Sequence, residues 1–141
     1  MIFITSLVIY ELFGRIWPLL PKLSLPPRAE VALIVIPIFT AHIINIWLYA
    51  LIYLTIENVS SMGEIIGPEK SISWSLDSFF ACLYFSGTTY TTLGFGDFVA
   101  TKALRLLSAT EALNGLVLMG WTVSFTYLAM EKFWRGKPVR K

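Results

Sequence analysis

Residues 86–97 read SGTTYTTLGFGD, a stretch rich in hydroxyl groups that ends in Gly-Phe-Gly-Asp. Successive peptides of an ordinary strand of L-residues turn their carbonyl groups to opposite sides. Gly94 and Gly96 admit positive φ angles, which let neighbouring peptides turn their carbonyl oxygens the same way. The spacing permits either a tight turn or an extended segment whose carbonyls face one axis, in which case Leu93 and Phe95 would point away from that axis.

Two long apolar stretches flank this segment. Residues 31–56 contain no Asp, Glu, Lys or Arg, and residues 103–130 contain one acidic residue, Glu111. On the membrane-insertion scale the first stretch sums to about −5 to −9 kcal/mol and the second to about −3 to −6 kcal/mol before Glu111 is counted. We therefore predict an outer membrane helix over residues 30–56 and an inner membrane helix over residues 103–130.

A short helix is predicted between the outer helix and the extended segment. Residues 57–72 form a polar loop, after which Ser73 or Ser75 can cap a helix start and Asp77 suits its first turn. A helix over residues 73–87 is too short to cross a bilayer. The chain must therefore return through residues 88–97, and non-helical backbone at that depth survives only inside protein or along water.

Composition excludes several classes of protein. The 141 residues are 56% apolar and only 14% charged, too little polar surface for a water-facing globule. A basic nucleic-acid module is excluded by the same numbers, and Cys82 has no partner for a disulfide framework. The sequence contains no phosphate loop, nucleophile elbow or paired carboxylates, so we predict no enzyme and no cofactor.

Charge placement predicts the orientation. The segment between the two membrane helices carries five acidic and two basic residues, and it belongs outside. The tail over residues 131–141 is basic and belongs in the cytoplasm. It contains Lys132, Arg135, Lys137, Arg140 and Lys141. A basic run at this place most often only marks the cytoplasmic side of the membrane. A binding site for anionic lipid is the more specific interpretation.

Residues 1–29 are a membrane-associated or membrane-spanning segment and linker. Their apolar residues are balanced by Glu11 and Arg15, so the predicted insertion energy is near zero. Those two charges stand one helical turn apart and can neutralise each other. A third membrane helix, a helix lying on the surface and a signal-anchor-like start all remain open.

The motif Thr92-Leu93-Gly94-Phe95-Gly96-Asp97 resembles the selectivity filter of potassium channels, and the order of elements over residues 31–130 is similar to the minimal, bacterial-like type with two transmembrane helices. The resemblance implies a homotetramer in the plasma (inner) membrane. It also implies that K⁺ binds the carbonyls of Thr92, Leu93, Gly94 and Phe95 and the Thr92 hydroxyl. Permeant K⁺ would be the only ion required.

The same resemblance assigns supporting residues. Tyr84 is expected to donate to Asp97 behind the filter, and Phe85 is the second of the two aromatic residues at the matching positions of the short helix. Thr88 stands where some members have glutamate. Phe95 replaces the common tyrosine and lacks its hydroxyl, and Leu93 replaces valine or isoleucine. These changes predict a less rigidly braced filter.

Three inner-helix residues are further candidates. Glu111 is expected either to brace the filter through Thr88 or Thr89 or to lie neutralised near the outer interface. Gly115 and Gly120 are candidates for a hinge or for close helix packing.

Three functions remain open. The first is a potassium-selective channel, the second a weakly selective cation channel, and the third a non-conducting membrane subunit with a channel-like fold. In the outer helix we expect His42 to make packing hydrogen bonds rather than to bind a metal ion or sense protons.

Overall fold

The computed structural model describes residues 1–18, 27–60, 62–68 and 73–135, and those residues form four helices and two short strands. The elements are α1 (Ile2–Ile16), α2 (Pro27–Val59), β1 (Ile65–Ile66), α3 (Leu76–Tyr90), β2 (Val99–Ala100) and α4 (Leu104–Arg135). Within the described ranges, two stretches are long and apolar enough to cross a membrane, Ala32–Val59 and Leu104–Glu131. The chain therefore has the predicted all-α membrane fold with two spanning helices.

Helices α2 and α4 run antiparallel and contact each other through polar groups. Tyr53 of α2 bonds Glu111 near the start of α4, whereas His42 bonds Thr122 further along it. One face of α2 is polar, with residues three or four positions apart. It comprises His42, Asn45, Tyr49 and Tyr53, of which the last three are fully buried. This face points into the bundle. The exposed positions of α2 are mostly apolar, and the hydroxyls of the exposed Thr40 and Thr55 bond carbonyls of their own helix.

Helix α3 begins at Leu76, three residues after the predicted start, and of the two candidate caps Ser75 is the one used. The Ser75 side chain accepts a hydrogen bond from the Ser78 amide, and Asp77 lies in the first turn. Its end differs, because the helix continues to Tyr90 rather than stopping at residue 87. The Thr88 hydroxyl bonds the Phe85 carbonyl of its own helix, and the Tyr90 side chain is fully buried. The hydrogen bond of Thr88 and the burial of Tyr90 both favour another turn of helix. The β-branched residues Thr88 and Thr89 would by themselves favour extended backbone.

The outer loop is joined to the segment that follows the filter motif. Strands β1 and β2 pair antiparallel, with Ile65 opposite Ala100. The Thr101 hydroxyl donates to the Glu64 carbonyl at 3.0 Å and accepts from the Glu64 amide at 2.9 Å. Two-residue strands carry too little pattern to be predicted from sequence, and this ladder was missed.

Helix α1 packs lengthwise against α2 and α4. Its buried positions are Thr5, Ile9, Phe13 and Ile16, which are spaced three and four residues apart. Glu11 and Arg15 lie on the exposed side, with Oε2 and Nε 3.9 Å apart. At 15 residues α1 is about 22 Å long, shorter than a hydrocarbon core of about 30 Å.

Candidate functional site: the strand after helix α3

The backbone after α3 has a left-handed residue at every second position. Thr92, Gly94 and Gly96 have φ angles of 60°, 50° and 82°. Positive φ was predicted for the two glycines, and the structure confirms it. At Thr92 it was not predicted, because a β-branched residue in this region is strained.

Amide groups at the start of this strand point back to α3. The amides of Leu93 and Gly94 both donate to the Thr88 carbonyl, at 2.8 and 3.1 Å, and the Thr92 amide donates to Thr89. In a trans peptide the carbonyl points opposite to the amide of the following residue. The carbonyls of Thr92 and Leu93 therefore point away from α3, both to the same side.

The strand is uncovered in the single chain. Residues 91–97 are all exposed, with Leu93 at 59% and Phe95 at 66%. A Cβ added at Gly94 or Gly96 would meet no atom within 4 Å. The segment therefore exposes backbone carbonyls together with two large apolar side chains, Leu93 and Phe95.

Tyr84 and Asp97 interact, as the resemblance implies; their role in supporting the filter stays a prediction. The interaction with the Asp97 carboxylate raises the pKa of the Tyr84 phenol. The Tyr84 ring also contacts the Phe98 ring edge to face, with centroids 5.5 Å apart. Asp97 further accepts from the Phe98 amide at 3.1 Å. Phe95 has no hydroxyl group and so contributes no side-chain hydrogen bond to this contact.

Glu111 is fully buried behind α3, but its partners differ from those expected. Its two carboxyl oxygens accept from the Ser86 and Tyr53 hydroxyls, each at 2.5 Å. Thr88 bonds its own helix instead. The rotation of α3 brings Ser86, one helical turn before Tyr90, to face α4, and a sequence alone does not fix that rotation. Tyr53 and Ser86 were therefore missed as site residues.

The C-terminal end of α2 is joined to β1 and to α3 by a second buried carboxylate. Glu57 accepts a hydrogen bond from the Ile65 amide, and the Cys82 thiol lies 3.5 Å from its other oxygen. Phe85 packs nearby, its ring edge to face with that of Tyr53 at 5.2 Å. From the sequence, Glu57 is predicted only as an acidic residue of the polar loop. Its position at the end of an apolar helix was the available signal.

The two inner-helix glycines have different surroundings. A Cβ at Gly115 would lie 2.1 Å from the Tyr90 carbonyl oxygen, so α3 and α4 touch there. A Cβ at Gly120 would meet nothing within 4 Å. Of the two roles left open, Gly115 has the close-packing one. The space that a side chain at Gly120 would occupy is empty in this chain.

His42 joins three helices through hydrogen bonds. Its Nδ1 lies 2.9 Å from the Tyr90 hydroxyl of α3, and its Nε2 lies 3.1 Å from the Thr122 hydroxyl of α4. The predicted packing role is confirmed. Among the described residues no group of three His, Cys, Asp or Glu side chains could hold a metal ion.

The basic tail lies mostly outside the described residues. Lys132 and Arg135 belong to the last turn of α4, and their side chains are not described. Lys137, Arg140 and Lys141 fall beyond residue 135. The lipid contact predicted for this run stays a prediction.

Comparison with known proteins agrees with this arrangement. A family model described as ion channel matches residues 41–132, which include the second half of α2, all of α3, the exposed strand and most of α4. Neither the curated proteins nor the solved structures gave a match. Because the family model covers well over half of the sequence, this chain belongs to the ion channel family, as a member with two transmembrane helices.

Proposed function

We propose that the protein is a potassium-selective channel that passes K⁺ passively through a homotetrameric filter formed by residues 92–97. The observation that carries the proposal is the left-handed backbone at every second residue of this strand, together with the amides bonded to Thr88. That backbone lets consecutive carbonyl oxygens point toward one common axis. Such a line of carbonyls can replace the water shell of a dehydrated cation.

The ion sites follow from the same strand. The carbonyls of Thr92, Leu93, Gly94 and Phe95 would bind K⁺, with the Thr92 hydroxyl at the inner end and Gly96 at the outer. One strand contacts an ion from one side only, so several copies must surround it. The exposed Leu93 and Phe95 side chains give those copies an apolar surface to bury against their neighbours.

Helix α3 would contribute electrostatically. Its last residue, Tyr90, contacts α4 at Gly115, roughly 17 Å along that helix from Leu104. The C-terminal end of α3, with its partial negative charge, would thus lie near the middle of the membrane. Four such ends around one axis would lower the free energy of a cation held there.

Tyr84, Asp97 and Glu111 would hold the strand in place rather than bind the ion. Tyr84 bonds Asp97 at the outer end, and Glu111 fixes α3 against α4 through Ser86. We place the protein in the plasma membrane with a cytoplasmic C-terminus and anionic lipid beside the basic tail. We assign it no enzymatic activity and no nucleic-acid partner.

The test is the reversal potential of purified tetramers in planar bilayers, with K⁺ on one side and Na⁺ on the other. We expect a potential near the K⁺ equilibrium value. The variant Gly94→Ala should abolish the current, because Ala disfavours a φ of 50°, while tetramers persist. The matched control is Gly14→Ala, where an added Cβ meets nothing and no positive φ is required; its current should match that of the wild type.

Two outcomes would contradict the proposal. A clear current that reverses near zero would mean a weakly selective cation channel. A chain that stays monomeric until another protein is added would mean a non-conducting subunit.

A further inference from the structure

Helix α1 lies outside the part of the chain that the family model matches. It is attached to α4 at two levels. Asn114 of α4 donates to the Thr5 hydroxyl at 2.8 Å, and further along both helices the Phe125 ring stacks on the Phe13 ring with centroids 3.7 Å apart. Helices α1 and α4 therefore run in the same direction, and the second half of α1 lies level with Phe125.

Two different sides of the α2–α4 pair are covered by other helices. Helix α3 covers the first side, where its last residue, Tyr90, reaches His42 of α2 and touches Gly115 of α4. Helix α1 covers the second side. Successive residues lie about 100° apart around a helix. Because Asn114 bonds α1 and Gly115 touches α3, the two helices pack on different sides of α4.

Beyond the end of α3, the first side is an open groove in the part of the chain that the structure describes. The groove is mostly apolar and has a volume of about 340 Å³. Its lining includes Val35 and Ile38 of α2 and Val123, Thr126 and Met130 of α4. Phe125 stands between Val123 and Thr126 in the sequence, so the groove lies level with the second half of α1, on a different side of α4.

Helix α1 presents an apolar stripe that its own chain leaves uncovered. The stripe comprises Phe3, Leu7, Tyr10 and Trp17, which are all exposed, with Tyr10 at 61%. These positions are three, four or seven residues apart and so share one face. The stripe is on the side of α1 next to α4, because the Trp17 ring lies 5.7 Å from that of Phe125. Glu11 and Arg15 occupy the other exposed side of α1.

One copy of the chain thus carries a projecting helix on one side of α4 and an open groove at the same depth on another. Two such surfaces make a head-to-tail contact, and head-to-tail contacts close into a ring when the rotation between copies allows it. The groove also continues the surface beside the exposed strand, where Thr92 and Ser108 line one cavity. Ser108 and Thr126 are about five full helical turns apart and so lie on one face of α4.

We propose that the stripe of α1 packs against the next copy of this chain, with the Tyr10 side chain in that copy's groove. The proposal rests on the homotetramer proposed above, and its four contacts would hold together the half of the assembly that is remote from the filter. Tyrosine suits the groove because its ring is apolar while its hydroxyl can donate a hydrogen bond. The Thr126 hydroxyl can accept that bond, since it donates its own proton to the Thr122 carbonyl at 2.8 Å.

Cysteine cross-linking of the double variant Tyr10→Cys, Val123→Cys tests the contact. Within one chain the two positions lie on different sides of α4, so a disulfide between them has to join neighbouring chains. Oxidation of purified tetramers with copper phenanthroline should therefore give covalent dimers, trimers and tetramers on a denaturing gel. Each single variant can give dimers at most. Cys82 is fully buried and is retained in every variant.

The matched control is the double variant Glu11→Cys, Val123→Cys. Glu11 is the next residue of α1 and is also exposed, but it faces away from the stripe. It should give no covalent trimers or tetramers. Tetramers in which the Tyr10 pair gives none either, or in which the Glu11 pair links equally well, would overturn the contact and leave lipid as the occupant of the groove. A chain that stays monomeric would overturn it as well.

The reversal potential separates this proposal from the channel function. Covalent tetramers whose current reverses near zero would support the contact while contradicting potassium selectivity. Tetramers that give no covalent trimers but reverse near the K⁺ equilibrium value would overturn the contact and leave the channel function intact.

A dissociation measurement tests the contact without cross-linking. Tyr10→Ala should raise the protein concentration at which half of the chains are tetrameric about twentyfold, because each of four contacts weakens on the order of tenfold. Ile4→Ala, an exposed residue on the side of Glu11, should leave that concentration unchanged. Size-exclusion chromatography in detergent over a dilution series gives both values. An unchanged value for Tyr10→Ala, or an equal rise for Ile4→Ala, would overturn the contact.

Discussion

Glu111 of α4 accepts a hydrogen bond from the Ser86 hydroxyl of α3 at 2.5 Å. Because its other oxygen is bonded to Tyr53 of α2, one carboxyl group joins three helices in the interior of the bundle. The carboxyl group is completely buried, so both bonds are formed without competition from water.

Replacing this carboxyl by an amide should destabilise the fold. In Glu111→Gln one oxygen remains to accept a hydrogen bond, while the new NH₂ group faces a hydroxyl that donated to the carboxyl. We expect the free energy of unfolding to fall by about 1–3 kcal/mol per chain, seen as a lower temperature of thermal unfolding. Glu64→Gln in the partly exposed loop after α2 is the control and should unfold as the wild type does. Equal unfolding temperatures for all three proteins would refute the three-helix role.

Loss of the Tyr84 hydroxyl should weaken the outer end of the filter. Tyr84→Phe keeps the ring against Phe98 but removes the bond to Asp97. We expect the channel to leave its conducting state several-fold faster, measured as shorter bursts in single-channel records. Tyr127→Phe removes a hydroxyl from an exposed side chain and should leave burst length unaltered. Bursts of normal length in Tyr84→Phe would mean that Asp97 is held by other groups.

The two inner-helix glycines should respond oppositely to alanine. At Gly115 the added methyl group would lie 2.1 Å from the Tyr90 carbonyl oxygen, so α3 and α4 must separate, at a cost of about 1–3 kcal/mol or more. Gly115→Ala should give little tetramer in size-exclusion chromatography. Gly120→Ala should assemble normally, because nothing lies near the new group. Normal assembly of Gly115→Ala would show that the contact with Tyr90 is dispensable.

Cys82 should be unreactive in the folded protein. Its side chain is fully buried between α3 and the Glu57 carboxylate. We expect no labelling by a maleimide reagent until the protein is denatured, measured as the mass gained. The exposed loop position Met62→Cys should label in the folded state and serves as the positive control. Rapid labelling of Cys82 in native tetramers would contradict the packing of α3 against α2.

The sequence alone predicted the features that depend on local chemistry. Apolar length predicted the two spanning helices, Ser75 predicted the start of α3, and the need for aligned carbonyls predicted the positive φ angles of Gly94 and Gly96. Each of these follows from a few neighbouring residues. The donation of Tyr84 to Asp97 was reached differently, through the resemblance to potassium channels.

Features that depend on how helices are rotated and packed were not reached. Ser86, rather than Thr88, meets Glu111 because the rotation of α3 is decided by contacts across the bundle. The place of α1 was undetermined because the charges of Glu11 and Arg15 nearly cancel its apolar contribution. The structure puts that pair on the exposed side, where it does not interrupt the packing of Phe13.

The polar face of α2 has a consequence for how the protein is made. A helix that is apolar all round has no preferred rotation in lipid, whereas His42, Asn45, Tyr49 and Tyr53 give α2 one side that hydrocarbon solvates poorly. Synthesis completes α2 while residues 60–103 and α4 are still to come, so this side has to wait for its partners. A chain cut short before Leu104 would keep these polar groups facing lipid, and cells should degrade it rather than accumulate it.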